Sequence, residues 1–101
     1  MIDLDPGTRQ RVKRILRRLL PDAEVRLVGS RARGRAKRHA DIDLLVMRPA
    51  VLKPRERALL NTAFEESDIP YKVDVLDWGS LTPSFRERLL AEGAPILLRR
   101  G

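Results

Sequence analysis

The chain has 101 residues, 43% of them hydrophobic and 35% charged, with a formal net charge of +7; this balance indicates one compact globular domain over residues 1–101 rather than a disordered chain. The lack of cysteine and the single histidine, His39, exclude disulfides, thiol catalysis, Cys-ligated zinc and His-cluster metal sites. No apolar run approaches the roughly 18 residues of a membrane span, and the acidic start Met1-Ile2-Asp3-Leu4-Asp5 lacks the apolar stretch of a secretory signal, so a cytoplasmic location is expected.

Asp5-Pro6-Gly7-Thr8 reads as a helix start. Val12, Ile15, Leu16, Leu19 and Leu20 then recur at helical spacing, predicting an amphipathic helix to about Leu20. Pro21-Asp22 ends it, and the alternation over Glu24 to Val28 predicts a short strand. Gly29-Ser30 breaks that strand, and Arg31 to about Arg38 predicts a short helix with a basic face. Asp41 to Met47 is a strong strand. Pro49 and Pro54 bracket a loop, and Leu59, Leu60, Ala63 and Phe64 mark a helix ending near Ser67. After the turn Asp68-Ile69-Pro70 comes a strand from Tyr71 to Leu76. Thr82-Pro83 opens a helix to about Glu92, stopped by Gly93, and Ile96-Leu97-Leu98 is a last strand before the tail Arg99-Arg100-Gly101. Helices and strands alternate throughout, predicting an α/β fold with a mixed sheet covered by helices. The charge is concentrated: residues 9–38 hold twelve lysines and arginines against Asp22 and Glu24, a net of +10. Such a region could face phosphates, an acidic protein or water.

Three features carry chemistry. Gly29-Ser30-Arg31-Ala32-Arg33-Gly34 joins a strand to the expected helix start, where free N–H groups and the positive helix end, a close glycine backbone and a hydroxyl can hold a phosphate. An ordinary left-handed turn uses the same pair, so this signal alone is weak. Gly34 is followed by Arg35-Ala36, which excludes a P-loop, and the spaced glycines of a dinucleotide fingerprint are missing. Asp41 and Asp43 lie two residues apart, so on a strand both carboxylates project from one face. A divalent cation relieves their repulsion, and oxygen ligands without His or Cys point to Mg²⁺ or Mn²⁺. A solvated strand end paired with arginine is the plain alternative. Asp74 sits inside the apolar strand Val73-Asp74-Val75-Leu76; if Val73 and Val75 pack on the core, it faces the opposite side. Asp77, at the strand end, reads as solvated. Trp78 reads as a cap on the sheet end, His39 as a surface residue, and Arg11, Arg14, Arg17 and Arg18 as a solvated helix face.

Gly29-Ser30, ten intervening residues and Asp41-x-Asp43, with Ala40 running into Asp41-Ile42-Asp43-Leu44, resemble the minimal nucleotidyltransferases of the DNA polymerase β-like superfamily. The resemblance covers roughly residues 9–98. It departs at Ala40, where many members have serine. It implies the polymerase β-like fold, a mixed, mostly antiparallel sheet of about four strands flanked by helices. It implies that Asp41, Asp43 and Asp74 are catalytic and hold two Mg²⁺ ions. Gly29, Ser30 and Arg33 would bind the triphosphate of ATP, and the remaining cationic residues of the segment, Arg31, Arg35, Lys37 and Arg38, would lie near it. It further implies an antitoxin that transfers AMP to a tyrosine of a HEPN-domain ribonuclease toxin, in a hetero-oligomer with it.

Other functions lead to different expectations. An antitoxin acting by masking alone would dock its cationic region on an acidic surface and would not need the aspartates. A transferase acting on RNA or a small molecule would be expected to add a substrate-recognition domain. A nucleic-acid-binding module would show a steep salt dependence, but the scarcity of aromatic residues does not favour it.

Overall fold

The structure is a computed structural model and describes residues 2–99; Arg100 and Gly101 of the expected tail lie outside the described residues. The elements are α1 (Pro6–Leu19), β1 (Glu24–Val28), β2 (Ile42–Arg48), α2 (Pro54–Glu65), β3 (Val73–Asp77), a short 3₁₀ turn (Trp78–Ser80), α3 (Pro83–Glu92) and β4 (Ile96–Leu98).

Local chemistry explains the helix starts. The Asp5 carboxylate accepts the Thr8 N–H at 2.9 Å, which caps α1, and Thr82 Oγ1 accepts the Phe85 N–H at 3.3 Å, which caps α3. Each of the three α-helices carries a proline in its first turn, where the missing N–H costs nothing.

The strands form one sheet in the order β3-β2-β1-β4, with β1 antiparallel to β2 and β4 and β2 parallel to β3. This is the mixed, mostly antiparallel sheet that the family resemblance implies. The main core lies between one face of the sheet and helices α1 and α2. There Val12 and Leu16 of α1 and Leu60 and Phe64 of α2 meet Val25, Leu27, Leu44, Val46 and Val75. A smaller core lies on the other face, where Leu89 of α3 packs on Val28 and Leu45, with Met47, Leu76 and Trp78 beside them. Both faces of the sheet are therefore covered, but α3 covers its face only in part. Among the described residues no helix is long and apolar enough to cross a membrane.

Two expectations need correction. The segment from Arg31 to Arg38 is a run of turns, not a helix. Gly34 takes a φ of +69°, which ends any helical run, and the segment must return to the edge of the sheet it left, because Val28 pairs with Asp43. The alternating order thus loses one helix. Asp77 is not solvated: it is 3% exposed. Its carboxylate accepts the Leu52 N–H at 2.7 Å and an Arg57 N–H at 2.9 Å, tying the loop before α2, and α2 itself, to the end of β3. Burial alone would raise the Asp77 carboxyl, but these bonds, with the Ser80 hydroxyl, hold it below the ordinary carboxylate value.

Candidate active site

Strand parity decides which carboxylates can meet. Leu44 and Val46 of β2 point into the main core, so Asp43 points to the face that α3 half covers. Val75 points into the main core, so Asp74 shares that second face. Strands β2 and β3 are parallel and in register, with Asp43 opposite Asp74. Two carboxylates from residues 31 positions apart therefore stand side by side. Asp41 is exposed and lies just ahead of β2.

The electrostatics follow from this placement. The Asp43 carboxyl is pushed up to about 6, first by burial and then by the negative charges of Asp74 and Asp41, with Lys72 opposing. The one ion pair at this edge is from the Lys72 ammonium to Asp74, at 3.7 Å and exposed, which leaves Asp43 without a close cation among the described residues.

The turn after β1 presses against the same carboxylate. Gly29 has a φ of +78°, and a Cβ built there would collide with Asp43 Oδ2 and lie 3.3 Å from Asp43 Cγ. Only glycine suits this position, both for its backbone angle and for the space. The turn is held by the Arg35 N–H donating to the Ser30 carbonyl at 3.0 Å and the Ala32 N–H donating to the Gly29 carbonyl at 3.2 Å. No helix follows it, so a helix dipole does not contribute here; any anion would meet loop N–H groups and side chains.

The cationic residues between Gly29 and Asp41 divide by role. Arg33, Arg35, Lys37 and Arg38 are exposed. Arg31 is 5% exposed and turned inward. Its guanidinium donates to the Ala40 carbonyl at 2.8 and 3.0 Å and to the Asp3 carbonyl at 3.0 Å, and it lies 4.0 Å from the centre of the Tyr71 ring. Arg31 thus departs from its expected place beside a triphosphate: it fixes the carbonyl immediately before Asp41, joining the loop to the N-terminal segment and to Tyr71, just ahead of β3.

A cavity of about 330 Å³ opens at this corner. It is lined by Gly29, Ser30, Arg33 and Asp43 from the expected set, and by Leu76, Phe85, Arg88 and Glu92. The residues of α3 were not expected at the site. Their signal in the sequence is the spacing of Phe85, Arg88, Leu89 and Glu92, one helical stripe in which Leu89 alone is buried. Asp74 borders a second cavity, of about 280 Å³, with Tyr71, Lys72 and Asn61.

Asp41, Asp43 and Asp74 do not close into a ready metal cage: no cluster of three or more metal-ligating side chains is present among the described residues. The donor set nevertheless fits a hard divalent cation. It offers carboxylate oxygens only, and the single exposed ammonium of Lys72, 3.7 Å from Asp74, does not balance the paired carboxylates.

The nucleotidyltransferase domain family matches residues 9–96 of this chain. A probable protein adenylyltransferase MntA of Haemophilus influenzae is 45% identical over 76 residues, covering 75% of this chain and 67% of that protein. The fold is shared with a crystallised toxin–antitoxin pair bound to AMP-PNP, at 23% identity and a TM-score of 0.72, over 90% of this chain and 73% of the other. It is also shared with the complex of a tri-AMPylated Shewanella oneidensis HEPN toxin and its MNT antitoxin, at 20% identity and a TM-score of 0.69, over 92% and 71% of the two chains.

Proposed function

This chain belongs to the nucleotidyltransferase domain family, and from that premise we propose that it transfers AMP from ATP to a tyrosine hydroxyl of a HEPN-domain toxin. It would work in the cytoplasm as one minimal nucleotidyltransferase domain and silence its partner as an antitoxin. The observation that carries this reading is the register pairing of Asp43 with Asp74 beside the Gly29 turn. The named activity of the Haemophilus relative supports AMP as the transferred group, and the toxin–antitoxin assemblies that share the fold support the partner.

Gly29 and Ser30 would seat the triphosphate, because the glycine backbone comes close and the serine can donate a hydrogen bond. Arg33, exposed at the rim of the same cavity, would add a charge-assisted contact. Asp41, Asp43 and Asp74 would hold Mg²⁺, whose positive charge lets a polyanionic nucleotide approach the carboxylates. The acceptor oxygen attacks the α-phosphorus in line. The bond from that phosphorus to the bridging oxygen breaks, and pyrophosphate leaves. Asp74 would take the proton of the acceptor hydroxyl.

The test is incubation with labelled ATP, Mg²⁺ and the cognate HEPN-domain protein. Label on a toxin tyrosine is expected with the wild type and lost with Asp41→Ala plus Asp43→Ala. Equal labelling by the double variant would overturn the reading. A double variant that transfers nothing yet still neutralises the toxin would show that masking, not transfer, is the antitoxin activity.

A further inference from the structure

The chain has four aromatic residues: Phe64, Tyr71, Trp78 and Phe85. The fold uses three of them. Phe64 is 5% exposed in the main core. Tyr71 packs against that core and lies under the Arg31 guanidinium. Trp78 packs on the second core, with the Arg86 guanidinium 5.0 Å from its ring centre. Phe85 is different. It is 38% exposed, and it lines the cavity that also holds Gly29, Ser30 and Asp43. Leu89, one turn on, anchors α3 to Val28 and Leu45, so the stripe carrying Phe85 is fixed in place over the site. Arg88 and Glu92 flank it, joined by an ion pair at 3.1 Å.

We propose that Phe85 is the stacking platform for the base of the nucleotide, with Arg88 and Glu92 forming the polar edge of the same nucleoside-binding wall. The inference rests on the nucleotidyl-transfer reading above and names the part of the site that would receive the nucleoside. A planar ring with an open face is what a nucleobase needs, and it lies in one cavity with the turn proposed to hold the phosphates. The volume of about 330 Å³ is near the lower end of the range for small-molecule sites. A protein-docking patch would be a contiguous apolar surface; here the exposed ring is bordered by Arg33, Arg88 and Glu92, and the other apolar lining residues are buried (Val28 and Leu89) or half-buried (Leu76). Stacking is tolerant of base identity, so Phe85 would supply affinity for nucleotides as a class, not preference among them.

The experiment compares calorimetric binding of ATP and of inorganic tripolyphosphate, both with Mg²⁺, to the full chain and its variants. Phe85→Ala should weaken ATP about 10-fold or more and leave tripolyphosphate unchanged, whereas Phe85→Tyr and Phe85→Trp should keep ATP within about 3-fold of wild type. Any of three results would overturn the inference alone. Wild-type ATP binding by Phe85→Ala is the first, and if that variant also fails to bind the cognate toxin, the ring is a partner contact. Equal loss of ATP and tripolyphosphate by the variant is the second, which makes the ring a support for the turn. Wild-type binding of ATP no tighter than that of tripolyphosphate is the third, and it shows that the base contributes nothing. A wild type that binds neither compound would overturn the nucleotidyl-transfer reading and this inference with it.

Discussion

Replacing Asp43 by asparagine should make the metal-free protein more stable at neutral pH while abolishing transfer. The folded state holds a proton at Asp43 up to about pH 6, against an ordinary value of 3.8. An acidic group raised in this way penalises folding once it ionises. The penalty is absent well below 3.8, grows between 3.8 and about 6, and is complete above that. At about 1.4 kcal/mol per pH unit the interval sets a ceiling of about 3 kcal/mol, and solvent screening of a half-buried group reduces the expected effect to about 1–2 kcal/mol. Asparagine is close to isosteric, and among the described residues Asp43 makes no hydrogen bond that the change would remove. For a chain of this length the gain corresponds to a rise in Tm of roughly 5–10 °C. Thermal melts followed by circular dichroism, in EDTA from pH 3.5 to 8, measure it. Wild type and variant should melt together near pH 3.5 and separate as the pH rises. Mg²⁺ at pH 7.5 should narrow the gap by stabilising the wild type alone. A variant that melts below the wild type at pH 7.5, or a gap that does not change with pH, would refute the electrostatic argument.

Four further outcomes are expected. Gly29→Ala combines a positive φ with a collision at Asp43; it should cost about 1–3 kcal/mol in urea melts and abolish transfer. Arg31→Ala leaves the Ala40 and Asp3 carbonyls without their buried donor and should destabilise by about 2–4 kcal/mol. Arg31→Lys should recover much of that stability but raise the Mg²⁺ concentration needed for half-maximal transfer, since one ammonium cannot reproduce the forked contact that fixes the start of the Asp41-Ile42-Asp43 segment. Asp77→Asn breaks the Arg57 pair. Because the Asp77 carboxyl is held low, the stability it contributes is present above pH 3.8 and lost as pH falls below it. The variant should therefore be less stable than wild type at pH 7 and equal to it near pH 2 in denaturant melts.

Much of the fold was legible in the sequence because its signals are local. The stripe Val12, Ile15, Leu16, Leu19 needs only the helical period, and Asp5-Pro6 and Thr82-Pro83 mark helix starts by chemistry confined to one turn. The parity of Val73, Asp74 and Val75 already placed Asp74 away from the main core. The error at Arg31 to Arg38 has a physical cause of the opposite kind. Those residues suit a helix, but the segment has to close a loop between the paired residues Val28 and Asp43, and that constraint comes from the sheet.

What the sequence alone determined is the inventory: the glycine turn, the two aspartates at strand spacing and the third on a later strand. The tertiary structure decided what they face. Parallel pairing in one register brought Asp43 beside Asp74. Arg31 and Arg33, two residues apart with the same chemistry, parted because Asp3, Ala40 and Tyr71 converge from three distant stretches to bury the first. Phe85 became part of the site because Leu89 fixed α3 across the open face of the sheet. Each of these depends on contacts between residues far apart in the chain, and no local pattern records them.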